Sequence, residues 1–413
     1  MAGRFSIQLL RRVATAASLA VAVSTATSAL AAQPAGLLSF SGIGAYLNPS
    51  KNQEIHLVGY NRPYCPTPCP CDPNGYSAEG QPGQLGDDPA RATDSDPLAS
   101  ANLQAEQFGG LGSDTMTVND AIGGYIDNPV VGNWFRARYD VAVNNPHPDL
   151  AEFFYAKYAL AGGPGVTPPP GLNISPTQTN YQVGTFYLEW MLAPRLSVFA
   201  ELAVQRTDIF FPDNNNGTVI EKNGGLGDTI AGFKYALLTD DTQYLTFQFK
   251  TYIPTGDSHR GLGTHHTSLE PGLLYLRRLN CRTYFQGELR YWIPIDGTDY
   301  AGNIIRYGAG LGYDIWNSNG SSSLNPYVAD GWRVTAVGEF VGWSVLNGKF
   351  TPANAVGSPI DGVSVPDGFT VVNVKPGFRF THNQGSLYAG AGIAMTGDRW
   401  YSDLFRIEYR RMF

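Results

Sequence analysis

The sequence predicts an all-β protein: a transmembrane, antiparallel, up-and-down β-barrel of about twelve strands behind a Pro/Gly-rich N-terminal extension. Three observations predict it. Apolar and polar residues alternate with period two through most of the chain after residue 130. The connections between the alternating segments are short and long by turns. The last segment is an aromatic, alternating strand that ends in Phe413.

Composition agrees. Of the 413 residues only 15% are charged, against roughly 25% in soluble domains, while glycine (48) and aromatic residues (12%) are abundant. A mean hydropathy of -0.17 excludes a bundle of transmembrane helices, each of which needs roughly 20 apolar residues. It suits a wall whose residues face lipid and lumen alternately. The net charge of -7, with no Lys/Arg cluster, argues against a nucleic-acid partner, because phosphate backbones are held by clustered cations.

At the N-terminus Arg4, Arg11 and Arg12 precede an apolar run from Val13 to Val23 and the small-residue stretch Ala29-Leu30-Ala31. This order predicts a cleaved signal peptide over residues 1–31. Residues 32–130 are rich in Pro, Gly, Asp and Ser, which predicts a loosely structured extension or a plug. Cys65, Cys69 and Cys71 crowd one Pro-rich stretch there. Their spacing matches no zinc pattern, so a loop-stapling disulfide is expected and no metal or other cofactor.

From residue 131 to 413 the barrel is expected. Candidate strands are 132–144, 181–192, 195–207, 226–238, 242–254, 265–278, 282–293, 301–316, 326–346, 367–381, 386–396 and 402–413. Every second connection is short, as at Ala193-Pro194, Thr239 to Asp241, Leu279 to Cys281, Asn317 to Asn325 and His382 to Gly385. The others (145–180, 208–225, 255–264, 294–300, 347–366) are longer, with 397–401 the exception. Outer-membrane barrels sort their connections in this way, with tight periplasmic turns and long external loops. A soluble sandwich has no reason to.

Faces follow from the period of two. In 242–254, Leu245, Phe247, Phe249 and Ile253 share one face, and Tyr244, Thr246, Gln248, Lys250 and Tyr252 the other. Strand 195–207 sets Leu196, Val198, Ala200, Leu202 and Val204 against Ser197, Glu201 and Gln205. Strand 226–238 sets Ala231, Phe233, Tyr235 and Leu237 against Asp228 and Lys234. Strand 282–293 sets Phe285, Leu289, Tyr291 and Ile293 against Gln286, Glu288 and Arg290. A charge facing lipid costs about 2–4 kcal/mol at the midplane, so the polar faces are expected to line an enclosed aqueous lumen. Strand 326–346 lacks a cleanly polar face, with Asp330, Arg333 and Glu339 on mixed parities, and is expected to protrude or carry a bulge.

The C-terminal strand alternates Phe405, Ile407, Tyr409 and the final Phe413 against Arg406, Glu408 and Arg410; Arg411 departs from the pattern. It resembles the strand that barrel-assembly machinery reads as an edge to be paired. Further motifs are Gly225-Leu226-Gly227-Asp228, Phe233-Lys234-Tyr235-Ala236-Leu237-Leu238, Ile253-Pro254-Thr255-Gly256-Asp257, Gly261-Leu262-Gly263-Thr264 and Leu269-Glu270-Pro271-Gly272-Leu273-Leu274-Tyr275. On these, residues 180 to 413 resemble the phenol-degradation meta-pathway family of outer-membrane transporters. That resemblance implies a barrel moving small, often aromatic, compounds, and it supplies no catalytic residues.

Other motifs fail on context. His266-Thr267-Ser268 is similar to the His-x-Ser arrangement of outer-membrane phospholipases, but both side chains have the lumen parity of Glu270. Gly308-Ala309-Gly310-Leu311-Gly312 has no helix after it, so it is no nucleotide fingerprint. Asp213 to Gly217 lacks the closing ligands of a calcium loop. The expected function is therefore non-enzymatic: a channel or transporter in the outer membrane of a Gram-negative cell, passing small, aromatic or hydrophobic solutes. The alternatives are a closed structural or surface-interaction barrel and, behind it, a lipid hydrolase. Expected partners are outer-membrane lipid, barrel-assembly machinery and the solute. The pore-lining candidates are Arg136, Arg138, Glu189, Glu201, Lys234, Lys250, Glu288, Arg290, Arg406, Glu408 and Arg410.

Overall fold

The structure is a computed structural model that describes residues 116–146, 155–172, 176–212, 217–280, 282–296, 301–318, 331–350, 363–364, 370–397 and 399–413. The expected signal peptide, most of the N-terminal extension and the cysteines lie outside the described residues.

Strands, taken in chain order, are β1 (Trp134–Asn145), β2 (Gln178–Ala193), β3 (Leu196–Pro212), β4 (Thr218–Leu226), β5 (Thr229–Thr239), β6 (Gln243–Ile253), β7 (Thr267–Arg278), β8 (Thr283–Asp296) and β9 (Ile304–Asn317). Then come β10 (Trp332–Val345), the two-residue β11 (Lys349–Phe350) and β12 (Val363–Ser364), β13 (Thr370–His382), β14 (Gly385–Ala394) and β15 (Asp403–Met412). β11 and β12 pair only with each other. The rest form one antiparallel sheet in which β1 pairs with both β2 and β15, so the sheet closes. β4 and β5 are successive halves of one bent strand, for β3 pairs with β5 at its start and with β4 farther on. Twelve strands thus make the closed ring among the described residues, and no backbone edge faces lipid unpaired.

Each of the twelve expected strands is present, with shifted ends. The largest difference is at 208–225, expected as a loop. There β3 continues to Pro212 and returns as β4, a hairpin that stands beyond the ring. Its Glu221 and Lys222 hid it from a search for apolar alternation. The strand expected at 326–346 begins at Trp332, and Asp330 lies outside the described residues. Arg333 and Glu339, of equal parity, share the inward face: Arg333 bonds to Asp120, and Glu339 is fully buried. The bulge expected in this strand is not there: β10 pairs with β13 without a shift, and the one irregularity against β9 puts the extra residue, Ile315, on β9.

The exterior is apolar. Leu188, Leu202, Leu289, Leu311 and Phe340 are all exposed on the outward parity, and Trp190, Trp316, Trp332 and Phe413 ring the rim that carries the short turns. Trp190 packs on Phe413 at 5.9 Å between centroids. An exterior of this kind, with an aromatic girdle, belongs in hydrocarbon. No helix among the described residues is long and apolar enough to cross a membrane; the crossing is made by strands. The described residues form a membrane-spanning β-barrel.

Candidate functional site: the interior and residues 116–133

The inward parity carries the charges. Arg136, Glu189, Glu201, Lys234, Lys250, Glu288, Arg290, Arg406, Glu408 and Arg410 all point inward and are buried, and Arg138 is nearly so. They pair with one another. Lys234 Nζ is 2.7 Å from Glu189, Arg410 is 2.7 Å from Glu408, and Arg290 is 2.8 Å from Glu270 and 2.9 Å from Glu288. Arg136 pairs with Glu201, and Arg138 lies 3.5 Å from the same carboxylate. Burial of ions at this density is tolerable only because each has a counter-charge.

The sequence allows either a narrow channel or a lumen blocked by a folded-in segment, with residues 32–130 and the loop 145–180 as the candidates. Residues 116–133 lie inside. Asn119 and Asp120 sit at the short-turn rim, where the Asn119 amide donates to the Asn383 carbonyl and Arg333 meets Asp120. The segment then runs inward to Tyr125–Asp127, level with the middle of β8, and returns through Pro129 to β1. It has no regular structure beyond one 3-10 turn, Val118–Asp120. Its peptide groups therefore need partners from elsewhere, since a buried unpaired peptide group is costly.

Wall side chains supply those partners. Glu339 accepts the backbone N–H groups of Gly124, Tyr125 and Ile126 at 2.9–3.2 Å. Gln286 accepts the N–H of Gly123 and donates to the carbonyl of Asp127. Four arginines cover the carbonyls: Arg410 reaches Ala121 and Gly123, Arg379 reaches Ile122 and Gly123, Arg406 reaches Gly124, and Arg306 reaches Tyr125. Asp127 binds three cations, Lys250 and Arg290 at 2.6 Å and Arg136 at 3.4 Å. Burial alone would raise the Asp127 carboxyl. Lys250, Arg290 and Arg136 outweigh burial and hold it well below the usual carboxylate range.

The glycine run of β9 has its explanation here. Gly308 and Gly312 lie under Ile126 and Ile122: a Cβ on Gly312 would come 2.8 Å from Ile122, and one on Gly308 3.0 Å from Ile126. The run is a bare track on the wall in which the inserted segment rests.

Three of the motifs behind the family resemblance, at 225–228, 253–257 and 261–264, also converge, in a knot at the long-loop rim. Asp228, at the corner between β4 and β5, accepts from Gly256 N, Thr264 N and Thr264 Oγ1 at 2.7–3.0 Å. Thr255 Oγ1 accepts from Thr229 N and donates to the Gly227 carbonyl. These contacts fasten loop 254–266 to the barrel corner. His266 and Ser268 face inward, buried, with Ser268 Oγ 3.0 Å from His266 Nδ1 and the ring edge-on to Trp292. Bilayer lipid does not reach that face.

The candidates named from sequence thus share one face and one network. Parity reasoning overlooked Asp140, Arg306, Lys375, Arg379 and Glu339, although each follows its strand's inward parity. Residues 116–133 gave no periodic signal at all.

No family model matches the sequence, and no curated protein matches it significantly. Among solved structures the chain is similar to an outer membrane channel from Pseudomonas putida F1, at 14% identity and a TM-score of 0.44, covering 70% of this chain and 99% of that one. It is similar to the NanC porin at 10% identity and TM-score 0.36, covering 68% and 100%. A Pseudomonas aeruginosa FadL homologue gives 12%, 0.30, 72% and 98%. The phenol-degradation family itself is not shown by any of these.

Proposed function

We propose that the protein is an outer-membrane channel for small solutes whose described conformation is closed by its own residues 116–133. One observation carries the reading: apart from the Asn133 carbonyl, which accepts from Phe413 N where the segment joins β1, the segment in the lumen is bound to the wall through side chains. It adds no strand to the wall, so it leaves without breaking a single ladder hydrogen bond of the barrel. A segment built to be permanent would gain more by pairing with a strand. What it uncovers on leaving is a polar, charged wall of mixed sign, suited to passing solutes in water rather than lipid.

Candidate solutes are small organic compounds, aromatic ones among them. Rings cluster in the upper lumen: Trp292, Trp343, Trp400 and Tyr401 belong to one buried apolar cluster with Tyr125 and Ile126 of the plug. The rival reading is a sealed structural barrel, supported by the pairing of nearly every inward charge. Proteoliposome swelling separates the two. Vesicles holding the purified protein swell in small sugars and amino acids faster than empty vesicles if it is a channel. Equal rates, for the full chain and for a chain lacking residues 116–128, leave only the sealed barrel.

A further inference from the structure

Tyr125, at the tip of the plug, occupies an unusual place. Two cations approach its ring, with Lys375 Nζ 3.8 Å and Arg406 Cζ 3.9 Å from the centroid. Tyr388 meets it edge-on at 6.2 Å. Lys375 also lies 5.1 Å from the ring of Trp343 and 5.8 Å from that of Tyr401. Two features of this enclosure are incomplete. Lys375 is buried, yet among the described residues it has no carboxylate at ion-pair distance, whereas the other inward lysines, Lys234 and Lys250, each have one. The hydroxyl of Tyr125 is buried with no hydrogen-bond partner. The neighbouring carboxylates are engaged elsewhere: Asp140 accepts from Nε and Nη2 of Arg406, and Glu339 takes the plug's amides.

We infer that Tyr125 is a tethered stand-in for a solute, and that the place it holds, between Lys375, Arg406, Trp343, Tyr388 and Tyr401, recognises an aromatic monocarboxylate. The inference rests on the reading of residues 116–133 as a displaceable plug. A benzoate-like anion presents a ring to the aromatic walls, as Tyr125 does, and adds the negative charge that Lys375 lacks. A neutral aromatic solute leaves the lysine unpaired. An aliphatic acid forfeits the ring contacts. A dianion meets Asp140 and Glu339 beside the site and is repelled. Solute and Tyr125 compete for the same cations, so binding of one favours release of the other.

The test is titration calorimetry in detergent with benzoate, cyclohexanecarboxylate and benzyl alcohol. Tyr125→Ala, which frees the site without touching the wall, binds benzoate about thirtyfold more tightly than the unaltered chain, the size of a desolvated cation–π contact. It prefers benzoate to either analogue by a similar factor, and Lys375→Met in that background abolishes the preference. Equal affinity for benzoate and benzyl alcohol overturns the inference, as does the absence of benzoate binding by Tyr125→Ala. Those two comparisons decide the matter even where Lys375→Met does not fold. Benzoate binding by a barrel that passes no solute keeps the site and removes the channel; solute passage without benzoate binding does the reverse.

Discussion

Replacing Asp127 by Asn removes one charge from the centre of the interior and keeps its size. The wild-type carboxylate makes two contacts of 2.6 Å, to Lys250 and Arg290, and a longer one to Arg136. Breaking a buried ion pair costs about 3–5 kcal/mol when the partner is left uncompensated. Here compensation remains. Arg290 keeps Glu270 and Glu288, Arg136 keeps Glu201, and Lys250 keeps Glu270 at 3.8 Å. The loss is therefore nearer that of one strong charge-assisted hydrogen bond, about 2–3 kcal/mol. That lowers the ratio of docked to released plug by about 30- to 150-fold. In planar bilayers the open fraction of single molecules rises accordingly, with heat-modifiable gel mobility confirming an intact barrel. An open fraction within about threefold of wild type, in a variant of unchanged mobility, refutes the assignment of Asp127 as the plug's anchor.

Other consequences are accessible to simpler measurements. Gly124→Leu places a Cβ 2.3 Å from the Tyr388 ring, so the plug is displaced and openings become frequent, while the unfolding midpoint of the barrel stays put. The Asp127 carboxyl, held below its ordinary value, contributes to docking above about pH 4 and loses that contribution as pH falls through its lowered value. Conductance therefore increases only on acidification well below pH 4, and that acid step is absent in Asp127→Asn. Leu289→Arg sets a charge on the lipid face in the middle of β8, where the residue is 54% exposed. It lowers stability in lipid by about 2–4 kcal/mol, read from urea unfolding in vesicles.

The wall was legible in the sequence because its physics is local. Hydrocarbon outside and charge inside impose a strict alternation on every strand, so Leu202 against Glu201 and Phe249 against Lys250 can be read two residues at a time. Strand β4 was not legible. It stands beyond the membrane, so nothing there demands an apolar face, and its Thr-Val-Ile-Glu-Lys-Asn reads as a loop. Composition offered a plug somewhere in residues 32–130, but not which residues enter the lumen or what holds them. The plug's residues Ala121 to Asn128 adopt no repeating conformation, and the wall side chains that bind the peptide groups of Ala121 to Asp127 are each more than 150 positions away in sequence, as with Gln286, Glu339 and Arg410. The glycines of β9 are a second hint: three inward positions without side chains leave space that something else must fill.

The account turns on residues 116–133 lying in the lumen with their peptide groups bound by the wall. Amide hydrogen exchange on the detergent-solubilised chain, read by mass spectrometry over this segment, tests it without assuming any function. The account predicts that the amides of Gly123 to Ile126 exchange about as slowly as those of the strands, and that Glu339→Ala releases the protection of 124–126 while β8 and β9 keep theirs. Exchange of these amides within seconds in the unaltered chain, at the rate of a free peptide, contradicts it.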